Sequence, residues 1–184
     1  MGKAAVQQHL VQLNNRLDAL EEQLKGYSHE QLNWSPNEET WSVTQIMNHL
    51  YLAEGYSLKY LQKKMSYNPT FKKTSLSARW RILLLKVYLD LPIKFPAPKG
   101  VSTEYLPKES DAQEVLAKWR EQRNEIAEFL AQQPEDLYTR EVYKHPFAGR
   151  LPFSGMVLFY ERHYNRHLRQ MNRMLKALPQ TVEA

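Results

Sequence analysis

Two histidines near the carboxyl end of the chain, His163 and His167, are spaced for metal chemistry. They lie in the stretch Ser154–Leu178, which has no proline and in which apolar residues recur every three or four positions. That periodicity is typical of an amphipathic helix. Residues four apart lie one turn from each other on the same helix face, with Cβ atoms roughly 6 Å apart. Both imidazoles could therefore point at one ion.

The inward seam of this predicted helix places both histidines where a bundle helix normally carries leucine. A third histidine, His49, falls on the core side of an earlier predicted helix, between Ile46 and Ala53. Neutral imidazole is a good ligand for zinc, nickel, copper or iron, and three imidazoles leave at least one coordination position open. The alternative interpretation is that His49, His163 and His167 are core residues, each hydrogen-bonded to a neighbour. Spacing alone leaves both interpretations open.

The other histidines and the nearby acidic residues add no ligand to this set. His9, His29 and His145 fall on a polar helix face or in loops, and we expect them to be solvated. Glu54 follows His49 by five residues, about 140° around the helix, and Glu161 precedes His163 by two, on a different face. We therefore expect neither carboxylate to share an ion with the histidines.

The last helix also carries a basic stripe, which we predict to lie on the face opposite the histidines. It consists of Arg162, Arg166, Arg169, Arg173 and Lys176. The stripe could contact phosphates or an acidic partner, which would make the protein a non-catalytic binding module. It could equally be a solvated helix face. The chain shows no helix-turn-helix pattern, and no aromatic residues alternate with the arginines for base stacking, so we do not expect nucleic acid as the partner.

Four long helical patterns and one short one must position these residues. The long ones are predicted at about 4–25, Val43–Met65, Asp111–Gln132 and Ser154–Leu178, and the short, strongly apolar one at Arg79–Leu89. Ser42 with Gln45, and Ser110 with Gln113, have the spacing of capping boxes. No series of alternating apolar residues predicts a sheet. The fold class is therefore all-α, most simply a four-helix bundle with one short extra helix.

Two connectors interrupt this helical pattern. The segment from Leu91 to Lys108 holds Pro92, Pro96, Pro98, Gly100 and Pro107, which predicts a long loop across one end of the bundle. Such a loop could be a lid over a site or only a crossover. Residues 134–153 form the second connector, with an extended piece predicted near Glu141–Tyr143.

Length and composition limit the function classes. The chain has 184 residues, with 42% hydrophobic and 24% charged residues and a net charge of +5, which is ordinary globular composition. We expect one domain over residues 1–184. The chain has no cysteine, which excludes disulfides, thiolate metal sites and cysteine nucleophiles. Because no secretory pattern begins the chain and no apolar run is long enough for a bilayer, we expect a cytoplasmic protein without a membrane span.

Two segments resemble the DinB-like family of four-helix-bundle metal-binding proteins. One is TWSVTQIMNHLYLAE, and the other is HPFAGRLPFSGMVLFYERHYNRHLRQM. They match the family's W-S…H-L-x-x-x-E and H-P-x-x-G…H-x-x-x-H-x-x-Q patterns, and they are separated by a little over a hundred residues, as in the family. The order of the helices agrees over essentially the whole chain.

This resemblance implies a divalent metal, zinc or nickel, held by His49, His163 and His167. It also implies the activities of characterised relatives, which include metal-dependent transferases and isomerases using low-molecular-weight thiols such as bacillithiol or mycothiol. Other relatives are classed as metal-dependent hydrolases. On this basis we expect a metal-dependent thiol transferase or hydrolase, with a small-molecule substrate, that forms a homodimer. No general acid or base can be named from the sequence.

Overall fold

The computed structural model describes residues 1–91, 98 and 100–179, and it confirms the predicted all-α class. One short two-stranded hairpin accompanies the helices of this part of the chain. The helices are α1 (Lys3–Leu24), α2 (His29–Asn33), α3 (Val43–Met65), α4 (Leu76–Asp90), α5 (Ala112–Ala131) and α6 (Phe153–Lys176), and the strands are β1 (Tyr143–His145) and β2 (Gly149–Leu151).

Four long helices form the bundle that carries the histidines. Helix α3 packs against α5 and α6, and α1 packs against the same two helices, so the four form a closed ring. The apolar stripe of α1 faces the inside of this ring, and its buried residues are Val6, Leu10, Leu13, Leu17, Leu20 and Leu24. Because α3 and α6 are neighbours, His49 on α3 can meet His163 and His167 on α6.

Of the two capping boxes predicted at helix starts, one is present in the structure and one is not. The Ser42–Gln45 capping box at the start of α3 is confirmed. The second predicted box is wrong: Asp111 caps α5 by accepting a hydrogen bond from the Glu114 amide at 2.8 Å. The Ser110 hydroxyl instead accepts one from the side-chain amide of Asn48 at 3.0 Å. A carboxylate beside the positive end of the helix is the stronger cap there.

Helix α4 lies outside the ring, against α6. It begins at Leu76, three residues earlier than predicted, because the Ser75 side chain accepts a hydrogen bond from the Ala78 amide. Gly155 allows the close approach of α4 and α6, since a Cβ there would lie 3.2 Å from the Ile82 side chain. Helix α4 thereby forms a wall beside the histidine-bearing part of α6.

The sequence analysis missed helix α2 and most of the hairpin. Helix α2 is stabilised by a capping box of Ser28 and Gln31, a signal present in the sequence. Of the extended piece predicted near Glu141–Tyr143, only Tyr143 belongs to a strand, and it pairs with Leu151 in the hairpin of β1 and β2. Gly149 has a φ of +72°, a conformation that favours glycine, at the turn of this hairpin.

The proline-rich connector lies beside His49. Residues 92–97 and 99, which include Pro92 and Pro96, lie outside the described residues. In the remainder, the Val101 carbonyl contacts the His49 ring, and the Trp41 indole N–H donates to the Thr103 hydroxyl at 2.9 Å. The described part of this connector therefore covers the end of the bundle at which the histidines lie.

Candidate metal centre

The three predicted ligands meet between α3 and α6. The Nε2 atom of His163 lies 3.2 Å from Nε2 of His49 and 3.1 Å from Nε2 of His167. One ligand nitrogen of each residue lies within 4.8 Å of the others. The structure therefore brings together the three side chains that the sequence suggested as ligands, although His49 and His163 are 114 residues apart in the chain.

Hydrogen bonds at the other ring nitrogen fix two of the imidazoles. His49 Nδ1 lies 2.8 Å from the Val101 carbonyl oxygen and donates to it. His167 Nδ1 lies 3.0 Å from the Gln170 side-chain oxygen, one turn further along α6, and donates to that oxygen. With the proton on Nδ1, the Nε2 atom of each ring presents a lone pair to the centre of the cluster.

All three histidines are neutral at pH 7. Burial lowers the pKa of His49, although the Val101 carbonyl acts in the opposite direction. Burial, followed by the proximity of His167 and His49, holds the pKa of His163 well below its usual value. Burial and the nearby His49 lower the pKa of His167 to about 3. Neutral imidazole is the form that binds a metal, so no proton has to be displaced from Nε2 of His49 or His167.

The geometry of this cluster fits a cation better than a set of core hydrogen bonds. His163 Nε2 can donate one hydrogen at most, yet it faces two lone pairs at 3.1 and 3.2 Å. At least one of these contacts therefore brings two lone pairs together, which a positive ion would relieve. Four ligands at 2.0–2.1 Å around tetrahedral zinc lie roughly 3.3 Å from one another, close to both separations.

Aromatic rings enclose the cluster on two sides. The Trp41 ring lies 4.8 Å from the His49 ring and 6.3 Å from the His167 ring. The Phe159 ring stacks on His163 at 5.0 Å, with the two planes 18° apart. These rings exclude water from the sides of the site and limit rotation of the imidazoles.

The histidines open onto a cavity of about 1030 Å³, which is large enough for a small-molecule substrate. Its wall is formed by α3, α4, α6, the hairpin and the connector, and all three histidines contribute to it. Two hydroxyls in this wall were not identified from the sequence: Ser57 and Tyr143 are hydrogen-bonded at 3.0 Å. Burial raises the pKa of Tyr143 to about 12, so its phenol stays protonated at neutral pH.

Two of the histidines predicted to be solvated are not. His145 is 3% exposed at the end of β1, where its Nδ1 accepts hydrogen bonds from the amides of Phe147 and Ala148. Burial lowers its pKa to about 4, which keeps the ring neutral. His9 pairs with Glu161 at 3.0 Å across α1 and α6. Only His29 is well exposed.

His145 lines the same cavity and packs on Phe159 with ring centroids 4.5 Å apart. The signal that could have found it is the His145-Pro146 pair followed by Gly149, a turn pattern directly before α6. Two backbone amides converging on one ring nitrogen explain why a polar side chain is tolerated at this buried turn.

The basic stripe was placed on the wrong face of α6. Arg166, Arg169 and Arg173 line the cavity that contains the histidines. Arg166 follows His163 by three residues and is therefore about 60° from it around the helix, a neighbouring position and not an opposite one. The two arginines at the amino-terminal end of the stripe are already engaged. Arg162 pairs with Asp90 at 3.1 Å, and Arg166 donates to the Leu91 carbonyl at 2.6 Å.

The carboxylate of Glu54 takes no part in the histidine cluster, as expected. It forms a buried ion pair with Arg123 at 2.8 Å, with both side chains 2% exposed. The Trp119 indole N–H donates to the same carboxylate at 2.9 Å. This group links α3 to α5 in the bundle core and supplies no ligand to a metal.

The fold and the cluster define an all-α bundle protein with three histidines gathered between two adjacent helices. The sequence model of the DinB superfamily matches residues 12–171, which include all three histidines. The chain therefore belongs to the DinB superfamily. No curated protein matches it significantly, and no solved structure does. Within the described residues, no helix is both long and apolar enough to cross a membrane.

Proposed function

We propose that this protein is a metal-dependent enzyme in which His49, His163 and His167 hold a divalent transition metal, zinc or nickel. The convergence of three Nε2 atoms on the wall of a large cavity carries this proposal. Three protein ligands with further positions open are typical of catalytic metal sites, whereas structural sites are closed by four.

The reaction we propose is transfer to or from a low-molecular-weight thiol, or hydrolysis. A bound divalent ion would supply this chemistry by lowering the pKa of a coordinated thiol or water. The protein's own residues would hold the reactants: Val101 and Gln170 orient two ligands, and Trp41 and Phe159 keep water away from the histidines. The Ser57 and Tyr143 hydroxyls lie on the same wall, where they are hydrogen-bonded to each other, and Ser57 also donates to the Ala53 carbonyl.

Loss of a ligand should remove this activity. We expect zinc- or nickel-loaded wild type to accelerate either thiol conjugation of 1-chloro-2,4-dinitrobenzene or hydrolysis of a p-nitrophenyl ester, and His167→Ala to lose at least about a hundredfold. Removal of a partner that only orients a ligand costs roughly 10- to 100-fold, and removal of the ligand itself costs more. His29→Ala, which changes an exposed histidine, is the matched control. Rates that do not depend on the metal or on His167 would contradict the proposal.

The alternative function, a binding module for nucleic acid or an acidic protein, is less well supported. Arg162 and Arg166 are engaged by Asp90 and by the Leu91 carbonyl, and Arg169 and Arg173 line a concave cavity. A polyanion surface would instead need several basic side chains available along one convex face.

We propose further that the protein is a homodimer joined through α4. The outward face of α4 exposes large apolar side chains, which are Leu76, Trp80, Leu83, Leu84 and Val87. Leu76 and Trp80 are 74% and 65% exposed. Spacings of four, three and four between Leu76, Trp80, Leu83 and Val87 form a heptad-like seam, so a two-fold axis would pack this helix against its own copy.

Charges on this face should separate the subunits. We expect wild type to have the mass of two chains in light scattering, and Trp80→Glu combined with Leu84→Glu to have the mass of one. Tyr67→Glu, at a 70% exposed position outside α4, should leave the mass unchanged. A wild type with the mass of a single chain at tens of micromolar would exclude this dimer.

A further inference from the structure

Two exposed arginines of α6, Arg169 and Arg173, belong to the lining of the cavity that contains the histidines. Arg169 and Arg173 follow His167 by two and six residues, so the rise of the helix places Arg173 about 9 Å along the axis from His167. Gln170, which orients His167, lies between them. Both residues line the same cavity as the three histidines.

These two arginines have no anionic partner in the part of the chain that the structure describes. Neither guanidinium group forms an ion pair or a hydrogen bond with another described residue. Like charges spaced three and four residues apart on a helix repel one another, as Arg166, Arg169 and Arg173 must. A bound anion would remove this repulsion and accept charge-assisted hydrogen bonds.

The described lining of the cavity combines positive charge with aromatic surface. Its basic members are Lys144, Arg166, Arg169 and Arg173, and its acidic members are Glu39 and Asp90, of which Asp90 already pairs with Arg162. Aromatic side chains cover much of the remaining wall, and they are Trp41, Tyr56, Tyr60, Tyr88, Tyr143, Phe147 and Phe159. A cavity of this composition selects a ligand with an apolar body and an anionic end.

We propose that the cavity binds a small carboxylate with an apolar or aromatic body, whose anionic end is held by Arg169 and Arg173. That the apolar end of this ligand lies beside the histidines rests on the function proposed above. The concave shape of the site, together with the contacts that engage Arg162 and Arg166, favours a small molecule over a polyanion.

The test compares 4-phenylbutyrate with 4-phenylbutanol, which differ only in the anionic group. We expect the acid to bind the full-length wild type about tenfold more tightly than the alcohol, the difference that one charge-assisted hydrogen bond supplies. Arg169→Gln combined with Arg173→Gln should bring the two dissociation constants close together. Lys176→Gln removes a charge from the same helix at an exposed position outside the cavity lining, and should leave the ratio unchanged.

Titration calorimetry on both the metal-free and the zinc-loaded protein keeps this test separate from the metal. If no metal binds, the function proposed above fails, but the comparison in metal-free protein still tests the arginines. Equal binding of the acid and the alcohol to wild type, or an unchanged ratio in the folded double variant, would overturn the proposal. The proposal would also be overturned if wild type bound the two phenyl compounds equally but bound a single-stranded 12-mer DNA tightly, in a salt-sensitive way, through Arg169 and Arg173.

Discussion

Replacing His163 by alanine is expected to abolish the stabilisation that zinc or nickel gives this protein. His163 Nε2 lies 3.2 and 3.1 Å from the other two ligand nitrogens, so its loss would leave an ion with only two protein ligands. At a free metal concentration of a thousand times the dissociation constant, binding stabilises the wild-type fold by about 4 kcal/mol. The variant should show close to none of this gain at the same concentration.

Urea unfolding in the presence of metal or of EDTA measures this difference. His29→Ala is the matched control, because it removes an exposed histidine that belongs neither to the cluster nor to the cavity lining. We expect the control to keep the full metal-dependent gain. A His163→Ala protein that is stabilised by metal as strongly as wild type would show that the ion binds elsewhere.

Replacing Arg123 by methionine should produce the largest loss of stability in the bundle, about 3–5 kcal/mol. The change leaves the Glu54 carboxylate in the core without its partner. It also removes the hydrogen bond to the Leu13 carbonyl and the packing of the guanidinium over Trp119, 4.6 Å from the ring centroid. The free energy of unfolding in urea at pH 7 measures the effect.

Two controls define the cause of this loss. Arg120→Met makes the same change at a more exposed arginine, which pairs with Asp18 and Glu21, and should cost no more than about 1 kcal/mol. Changing Glu54 and Arg123 together to methionine should recover part of the loss, because no unpaired charge remains, although the Trp119 indole N–H then lacks its acceptor. An Arg123→Met protein as stable as Arg120→Met would contradict this account.

The elements that position the histidines could be predicted because local signals and core periodicity agree there. The stripe of α1 and the Ser42–Gln45 box at the start of α3 each specify one helix and one buried face. His49 and His167 follow from the same periodicity, since a residue on the seam of a helix must face its neighbour. The inward position of a histidine on such a seam can therefore be predicted from the sequence.

The surroundings of the cluster could not be predicted, because they depend on contacts between distant segments. The turn pattern around His145 is visible in the sequence, but the burial of its ring against Phe159 of α6 does not follow from that pattern. The position of Arg169 and Arg173 on the cavity wall depends on how α4 and the connector pack around α6. The Val101 carbonyl that orients His49 is 52 residues away in sequence.

X-ray absorption at the metal edge of untagged protein tests the central claim most directly. We expect roughly one zinc or nickel ion per chain, with about three imidazole nitrogens at 2.0–2.1 Å for zinc and at least one further light-atom ligand at an open position. A wild type that remains metal-free after incubation with zinc and nickel, or an ion whose shell contains no imidazole, would contradict it. The three histidines would then be core residues, with one hydrogen bond shared among their Nε2 atoms.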